Sequence, residues 1–253
     1  MTILTRMVLI LLVAMAVPGV ACPDAAAAES MRLSTGMIEP WTTSQGDGFH
    51  QLLVKAVFAR LGMAAEVGIN LASSRAFSLA NDGVTDGLAG RVAGMEKEYP
   101  NLIRVPEPMF MNDFVACTLT PDPQPATWGG LRPKAVAYII GWQVFEHNLP
   151  PVRELTQTKD SSQLLNLLKA GRTEVILHER WQVMSLAKAM GLRLYVQEPA
   201  LARVPMYIYL HSRHAALTER VAATLREMKA DGSYEAIAQQ VFGGLGPSVT
   251  GLK

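Results

Sequence analysis

An excess of charge of either sign is what this 253-residue sequence most plainly lacks: 23 Lys and Arg face 22 Asp and Glu, a formal net charge of +1. That balance excludes the basic footprint of a nucleic-acid binder and gives no reason for attraction to anionic membrane surfaces. Long apolar runs are missing as well; Met7 to Val17 is too short to span a bilayer as a helix. The histidines His50, His147, His178, His211 and His214 show no paired metal-ligand spacing except His211 and His214, which read as a solvated pair. Gly243-Gly244-Leu245-Gly246 is no phosphate loop, because no helix follows it. A G-x-S-x-G elbow is also absent. No catalytic residue, metal site or cofactor is therefore read from the chain.

The N-terminus has the anatomy of a secretory leader. Arg6 precedes the apolar run, Pro18-Gly19 closes it, and the small residues Ala25 to Ala28 precede Glu29. A charged segment, an apolar segment and an A-x-A-like site make residues 1–28 a signal peptide, and the mature protein is expected in the periplasm. The alternative is lipidation at Cys22, for which Gly19 is a poor match. After cleavage Cys117 is the remaining cysteine, so no intrachain disulfide is available despite the oxidising compartment. Its apolar neighbours Val115, Ala116 and Leu119 mark it as a buried, inert thiol.

Periodicity organises the rest. Arg32 to Met37 reads as a strand. Phe49, Leu52, Leu53, Ala56, Val57 and Leu61 recur at helical spacing before Gly62, and Ala64 to Ile69 is a second strand. A helix capped by Ser73 or Ser74 and a strand from Gly87 to Val92 complete a β-α-β-α-β run, the signature of a parallel sheet. The second half repeats the plan. Lys134 to Ile140 is a strand; Ser161 or Ser162 caps a helix over Leu164–Leu168; Thr173 to Leu177, Gln182 to Met190 and Arg193 to Val196 follow as strand, helix and strand. Phe114 to Leu119 and Met206 to Leu210 are strand-like and placed where the chain would cross between halves. Two helices close the chain, with Leu217, Val221, Leu225 and Met228 on one face of the first and Tyr234, Ile237, Ala238 and Val241 on one face of the second.

Two segments echo each other across these halves. Ala80 to Arg91 and Leu167 to Glu179 each carry a helix end, a stopping glycine, an acidic residue and a short strand with a polar tip. Two α/β lobes aiming sheet edges at a common cleft account for the echo, and such clefts bind ligands.

The order of motifs resembles the extracytoplasmic solute-binding proteins of family 3, the group that includes the bacterial polar amino-acid receptors. The residues that carry the likeness are Pro40-Trp41 after the first strand, Gly48-Phe49 and Leu61-Gly62 around the first long helix, and the Gly83 to Gly87 turn. Val105-Pro106-Glu107-Pro108-Met109, Ile140-Gly141, Ala170 to Glu174, Ala230 to Tyr234 and Phe242-Gly243 continue it. The resemblance implies an α/β, two-lobed periplasmic-binding-protein-like fold of type II with two hinge strands. Lobe 1 would be residues 31–116 plus 207–253 and lobe 2 residues 117–206. It further implies a monomer that is not an enzyme, closing on a small anionic or zwitterionic solute and presenting it to the membrane permease of an ABC-type transporter. A sensory or accessory module docking on a membrane receptor is the alternative, and a dehydratase-like enzyme on the same scaffold a further one.

Departures from the family pattern bear on the ligand. The arginine slot that grips an α-carboxylate falls at Glu98, and Arg91 stands earlier, at a strand tip where open α/β sheets place ligands. A guanidinium there offers a planar fork for a carboxylate or phosphate, unless it pairs with Glu96 or Glu98. Gly141-Trp142 stands where Gly-Thr is usual, which removes a hydroxyl and adds an indole. The acid that meets a ligand ammonium falls at Glu179; it alternates with His178, so one of the two faces the cleft. Trp41 and Trp142 are candidate aromatic walls, or else caps on their own cores. Arg75 opens a helix, where anions gather, or is simply solvated. Trp181 is expected to pack within lobe 2.

Overall fold

The computed structural model of the protein describes residues 30–71, 73–124, 126–246 and 252. The leader and Cys22 lie outside the described residues. From the N-terminal side come β1 (Met31–Thr35), α1 (Phe49–Arg60), β2 (Ala65–Ile69), α2 (Ser73–Asn81) and β3 (Gly87–Arg91). Both β2 and β3 pair in parallel with β1, as strands joined by crossover helices must. Next are β4 (Leu102–Arg104), β5 (Phe110–Thr118), β6 (Ala135–Ile139), α3 (Gln143–Asn148), β7 (Glu154–Thr158) and α4 (Ser161–Lys169). The chain ends through β8 (Val175–Glu179), α5 (Arg180–Ala189), β9 (Tyr195–Val196), β10 (Ala202–His211), α6 (Thr218–Asp231) and α7 (Ser233–Phe242). In the second half β6 pairs in parallel with β7 and β8.

Two long strands join the halves. Residues Ala202–Met206 of β10 run antiparallel to Phe110–Phe114 of β5. Beyond them β10 turns to β3 and β4, with a register irregularity between Tyr207 and Tyr209. In the opposite direction β5 turns to β8 and β9 from Phe114 onward. The strand order β2-β1-β3-β10-β5-β8-β6-β7 is thus a continuous ladder that bends at two crossing strands.

Each half has its own apolar core. Phe49, Leu53 and Val57, at i, i+4 and i+8, together with the neighbouring Val54 and Phe58 form one stripe of α1 and bury it against β1, α6 and α7. In the second half every residue of β6 and β8 is buried, as parallel strands covered on both faces require. Leu164, Leu165 and Leu168 of α4 cover one face and Phe145 of α3 the other. Each such fully buried Leu or Phe contributes about 1.5–3 kcal/mol. Cys117 is fully buried there, and desolvation pushes its thiol up to about 12, so it is chemically quiet.

Several local expectations are corrected. The cap of α4 is Asp160, whose carboxylate accepts from the Gln163 N–H at 2.8 Å, not Ser161 or Ser162. The chain also forms β4, α3 and β7, three elements too short for periodicity to resolve. His214 is not solvated: its Nε2 lies 2.7 Å from Asp86, which also holds Arg213 and the Arg32 N–H. Trp181 packs 4.7 Å from the Phe242 ring, in the core of α1 and α7 rather than that of α4 and β6.

Candidate functional site

A cleft of about 600 Å³ opens between the halves, within the range of small-molecule sites. One wall is Gly36, Ile38 and Glu39 after β1, with Leu71 before α2. The other is Ile139 at the end of β6 with Trp142 after it, the segment Lys159–Ser162 before and into α4, and Gln182, Ser185, Leu186 and Ala189 on α5. These residues follow the carboxyl ends of β1, β6 and β7, the place where open α/β sheets bind their guests. Ile38 and Leu71 are 45% and 68% exposed, an apolar rim without a protein partner on its outer side. Across the mouth the Ser185 hydroxyl donates to Glu39 at 3.4 Å.

Arg91 sits at the end of β3 with its guanidinium behind this wall. A Cβ on Gly36, itself a lining residue, would stand 3.4 Å from both Nη1 and Nη2 of Arg91. The guanidinium lies over the Phe77 ring, 4.9 Å from its centroid, and Phe77 stacks on Tyr99. Its Nε and Nη2 are buried and have no hydrogen-bond partner among the described residues. Desolvation draws its pKa below the ordinary value, as expected when no anion compensates. Of the two acidic partners that the sequence offered, Glu96 accepts from the Tyr209 hydroxyl at 2.9 Å and faces Arg104, and Glu98 is exposed beside Tyr99.

His50, on α1, borders the same corner. Its ring is fully buried, with Nδ1 on the Thr35 hydroxyl at 3.2 Å and Nε2 without a partner among the described residues. Burial first, and the Arg91 charge second, push its pKa down to about 3, so the imidazole is neutral. Gly90 makes this packing possible. A Cβ there would lie 2.6 Å from His50 Cε1, and its φ of 68° is one that side chains disfavour.

Trp41 and Glu179 meet each other rather than standing apart. The loop carrying Trp41 is clasped by the start of α1: the His50 N–H donates to the Trp41 carbonyl at 2.8 Å, and Gln51 accepts from the Thr43 N–H at 3.0 Å. Gly48 must be glycine for this approach, since a Cβ would lie 2.6 Å from Thr42 Cα. The indole is fully buried between Phe110 and Phe242, and its Nε1–H donates to Glu179 Oε2 at 3.0 Å. Glu179 also caps α5, accepting from the Trp181 N–H at 3.0 Å and the Gln182 N–H at 2.8 Å. Burial pushes its carboxyl up to about 7 although these donors pull the other way.

The remaining candidates are dispersed. Trp142 lines the cleft and stacks on Phe145 and against His178. His178 is itself buried, bonded to the Ser161 hydroxyl at 2.7 Å, and desolvation lowers its pKa to about 4. Gly141 is exposed beside the cleft, its N–H held by Glu146 at 2.7 Å. Arg75 is exposed on α2. Sequence reasoning missed Gly36, Glu39, His50, the Lys159–Ser162 segment and Ser185, because ordinary turn and helix residues carry no signal of facing a cleft. Among the described residues, no cluster of His, Cys, Asp or Glu is suited to a metal ion and no helix is long and apolar enough to cross a membrane.

No family model matches the chain. An uncharacterised protein of Shewanella oneidensis is 27% identical over 179 residues, which cover 66% of each chain. Solved structures are similar in fold. The ligand-binding core of GluR0, in complex with L-glutamate, superposes with a TM-score of 0.68 at 16% identity, over 87% of this chain and 100% of that one. A histidine-kinase sensor domain with similarity to periplasmic binding proteins gives 0.63 at 20% identity, over 85% and 97%. An ABC uptake transporter substrate-binding protein from Streptococcus pneumoniae with bound histidine gives 0.62 at 19%, over 85% and 92%. The protein has the α/β, two-lobed periplasmic-binding-protein-like fold.

Proposed function

We propose that the protein is a periplasmic solute-binding protein that captures a small carboxylate-bearing solute between its lobes and hands it to the membrane permease of an ABC-type transporter. The observation that carries this reading is the Arg91 guanidinium, buried behind the cleft wall with Nε and Nη2 unpaired. Leaving such donors unsatisfied costs about 1–3 kcal/mol, and a bound carboxylate removes that cost through a two-pronged, charge-assisted contact. Trp142 and the apolar rim residues Ile38 and Leu71 supply the surface for the solute's body.

In this reading residues 31–116 plus 207–253 form lobe 1 and residues 117–206 lobe 2. The change of β10's partners after Met206 supports the second crossing; β5 changes partner at Phe114, a little before the first. The leader over residues 1–28 would direct export, and the mature chain would act as a monomer. The likeness to a histidine-kinase sensor domain favours a second reading, in which the loaded lobes report to a membrane receptor instead of a permease.

A thermal-shift screen of the mature protein against organic acids and amino acids tests the reading, because a ligand of the folded state raises its apparent stability. Stabilisation by carboxylates that is lost in Arg91→Gln, with compaction in small-angle scattering, is the expected result. Silence across the panel, with unchanged scattering, contradicts it.

A further inference from the structure

We propose that the cleft wall carries a chemical function besides capture: Ser161 and His178 form a nucleophile and base pair that accepts an acyl group from small activated esters. Such chemistry goes beyond solute binding and does not depend on it.

The two residues meet across 17 positions of sequence. Ser161 opens α4 on the cleft wall, partly exposed, and its Oγ lies 2.7 Å from Nε2 of His178. His178 stands behind it on β8, fully buried, with Nδ1 2.9 Å from the backbone carbonyl of Glu179. A carbonyl only accepts, so Nδ1 carries the ring hydrogen. The neutral imidazole then presents the lone pair of Nε2, and the serine hydroxyl donates to it. A general base needs that polarity toward a nucleophilic hydroxyl, with a third group fixing the tautomer. Trp142, also on the cleft wall, packs on the His178 ring at 4.7 Å and holds its orientation.

The start of α4 suits the charge that develops on a carbonyl oxygen under attack. The first N–H groups of a helix have no intrahelical acceptor. Asp160 takes that of Gln163, leaving those of Ser161 and Ser162, which flank the nucleophile. Donors so placed stabilise an oxyanion. Ile139, Trp142 and Leu186 give apolar surface on the same wall for the body of the ester.

The step closes within the site. Ser161 Oγ bonds to the ester's carbonyl carbon as its proton passes to Nε2. The carbon–oxygen bond to the alcohol breaks, and the alcohol leaves with that proton. Water then adds to the acyl-serine and gives a proton to Nε2; the acid departs as that proton returns to Oγ. Burial lowers the His178 pKa to about 4, which makes it a weak base. Slow transfer from esters with good leaving groups is therefore expected, not peptide hydrolysis.

Diisopropyl fluorophosphate, whose leaving group is fluoride, and p-nitrophenyl acetate are the probes, with adducts located by intact mass and peptide mapping. Ser162, exposed on the same turn, is the internal control for plain accessibility. One adduct is expected, on Ser161, forming at least about a hundred-fold faster than on Ser162, the lower end of what a positioned base contributes. Ser161→Ala should abolish it, Ser162→Ala should leave it, and His178→Gln should slow it by a similar factor. No adduct, equal labelling of the two serines, or an unchanged rate in a His178→Gln protein that keeps its melting temperature overturns the inference. The comparison of the two serines in the wild type decides the matter even where His178→Gln fails to fold.

Discussion

The indole N–H of Trp41 donates to the carboxylate of Glu179 at 3.0 Å, joining residues 138 positions apart across the two halves. Both groups are fully or almost fully buried, so the bond ties the loop after β1 to the end of β8. Trp41→Phe keeps most of the ring packing and removes the donor. Its expected cost is about 1–3 kcal/mol, the range for stranding a buried acceptor, whereas Trp41→Ala should lose about 3–5 kcal/mol. Chemical denaturation measures both, and unchanged stability in Trp41→Phe would mean the hydrogen bond contributes nothing of its own.

Arg91 should behave as a residue kept for binding at the expense of stability. Its cation–π contact with Phe77 returns roughly 0.5–1 kcal/mol, less than the roughly 1–3 kcal/mol cost of buried donors without acceptors. Arg91→Met is therefore expected to raise the melting temperature of the unliganded protein while abolishing carboxylate binding. A marked fall in melting temperature would show that the guanidinium holds the fold together instead.

The pH dependence of stability follows from three buried groups. His50, lowered to about 3, and His178, lowered to about 4, stay neutral in the fold. The unfolded chain takes up protons on them below about pH 6.5, so their contribution to stability falls as pH falls from there. Glu179, raised to about 7, works the other way: between about pH 7 and its ordinary 4.5 the folded state binds the extra proton, and stability rises on acidification. Glu179→Gln removes that compensation. The drop in melting temperature from pH 7 to pH 5 should be larger in this variant than in the wild type; an equal or smaller drop would refute the assignment.

Gly90→Ala tests the corner beneath the cleft. The left-handed backbone costs an added side chain about 1–2 kcal/mol, and the new Cβ would also press on the His50 ring at 2.6 Å. A loss above about 2 kcal/mol is expected by denaturant titration. A neutral outcome would place His50 elsewhere.

The parallel units were legible because their helices and strands keep clean periods and are stopped by glycines such as Gly62, Gly171 and Gly191. The strand-end position of Arg91 was legible for the same reason. Its lack of a carboxylate partner was not, since that depends on Glu96 turning to Tyr209 and Arg104. Nor does any local pattern tell that Trp41 and Glu179, far apart in the chain, point at one another. The path of Trp181 into the core of α1 and α7 likewise depends on how the halves dock. Periodicity reports which face of an element is buried, not against which neighbour.

The most direct test is a crystal structure of the mature protein grown with the tightest-binding carboxylate of the panel. The solute's carboxylate should lie within hydrogen-bonding distance of Arg91 Nε and Nη2, its body against Trp142, with the Trp41 to Glu179 contact intact. Density for the solute away from Arg91, or against a Glu179 from which Trp41 has withdrawn, would contradict the account.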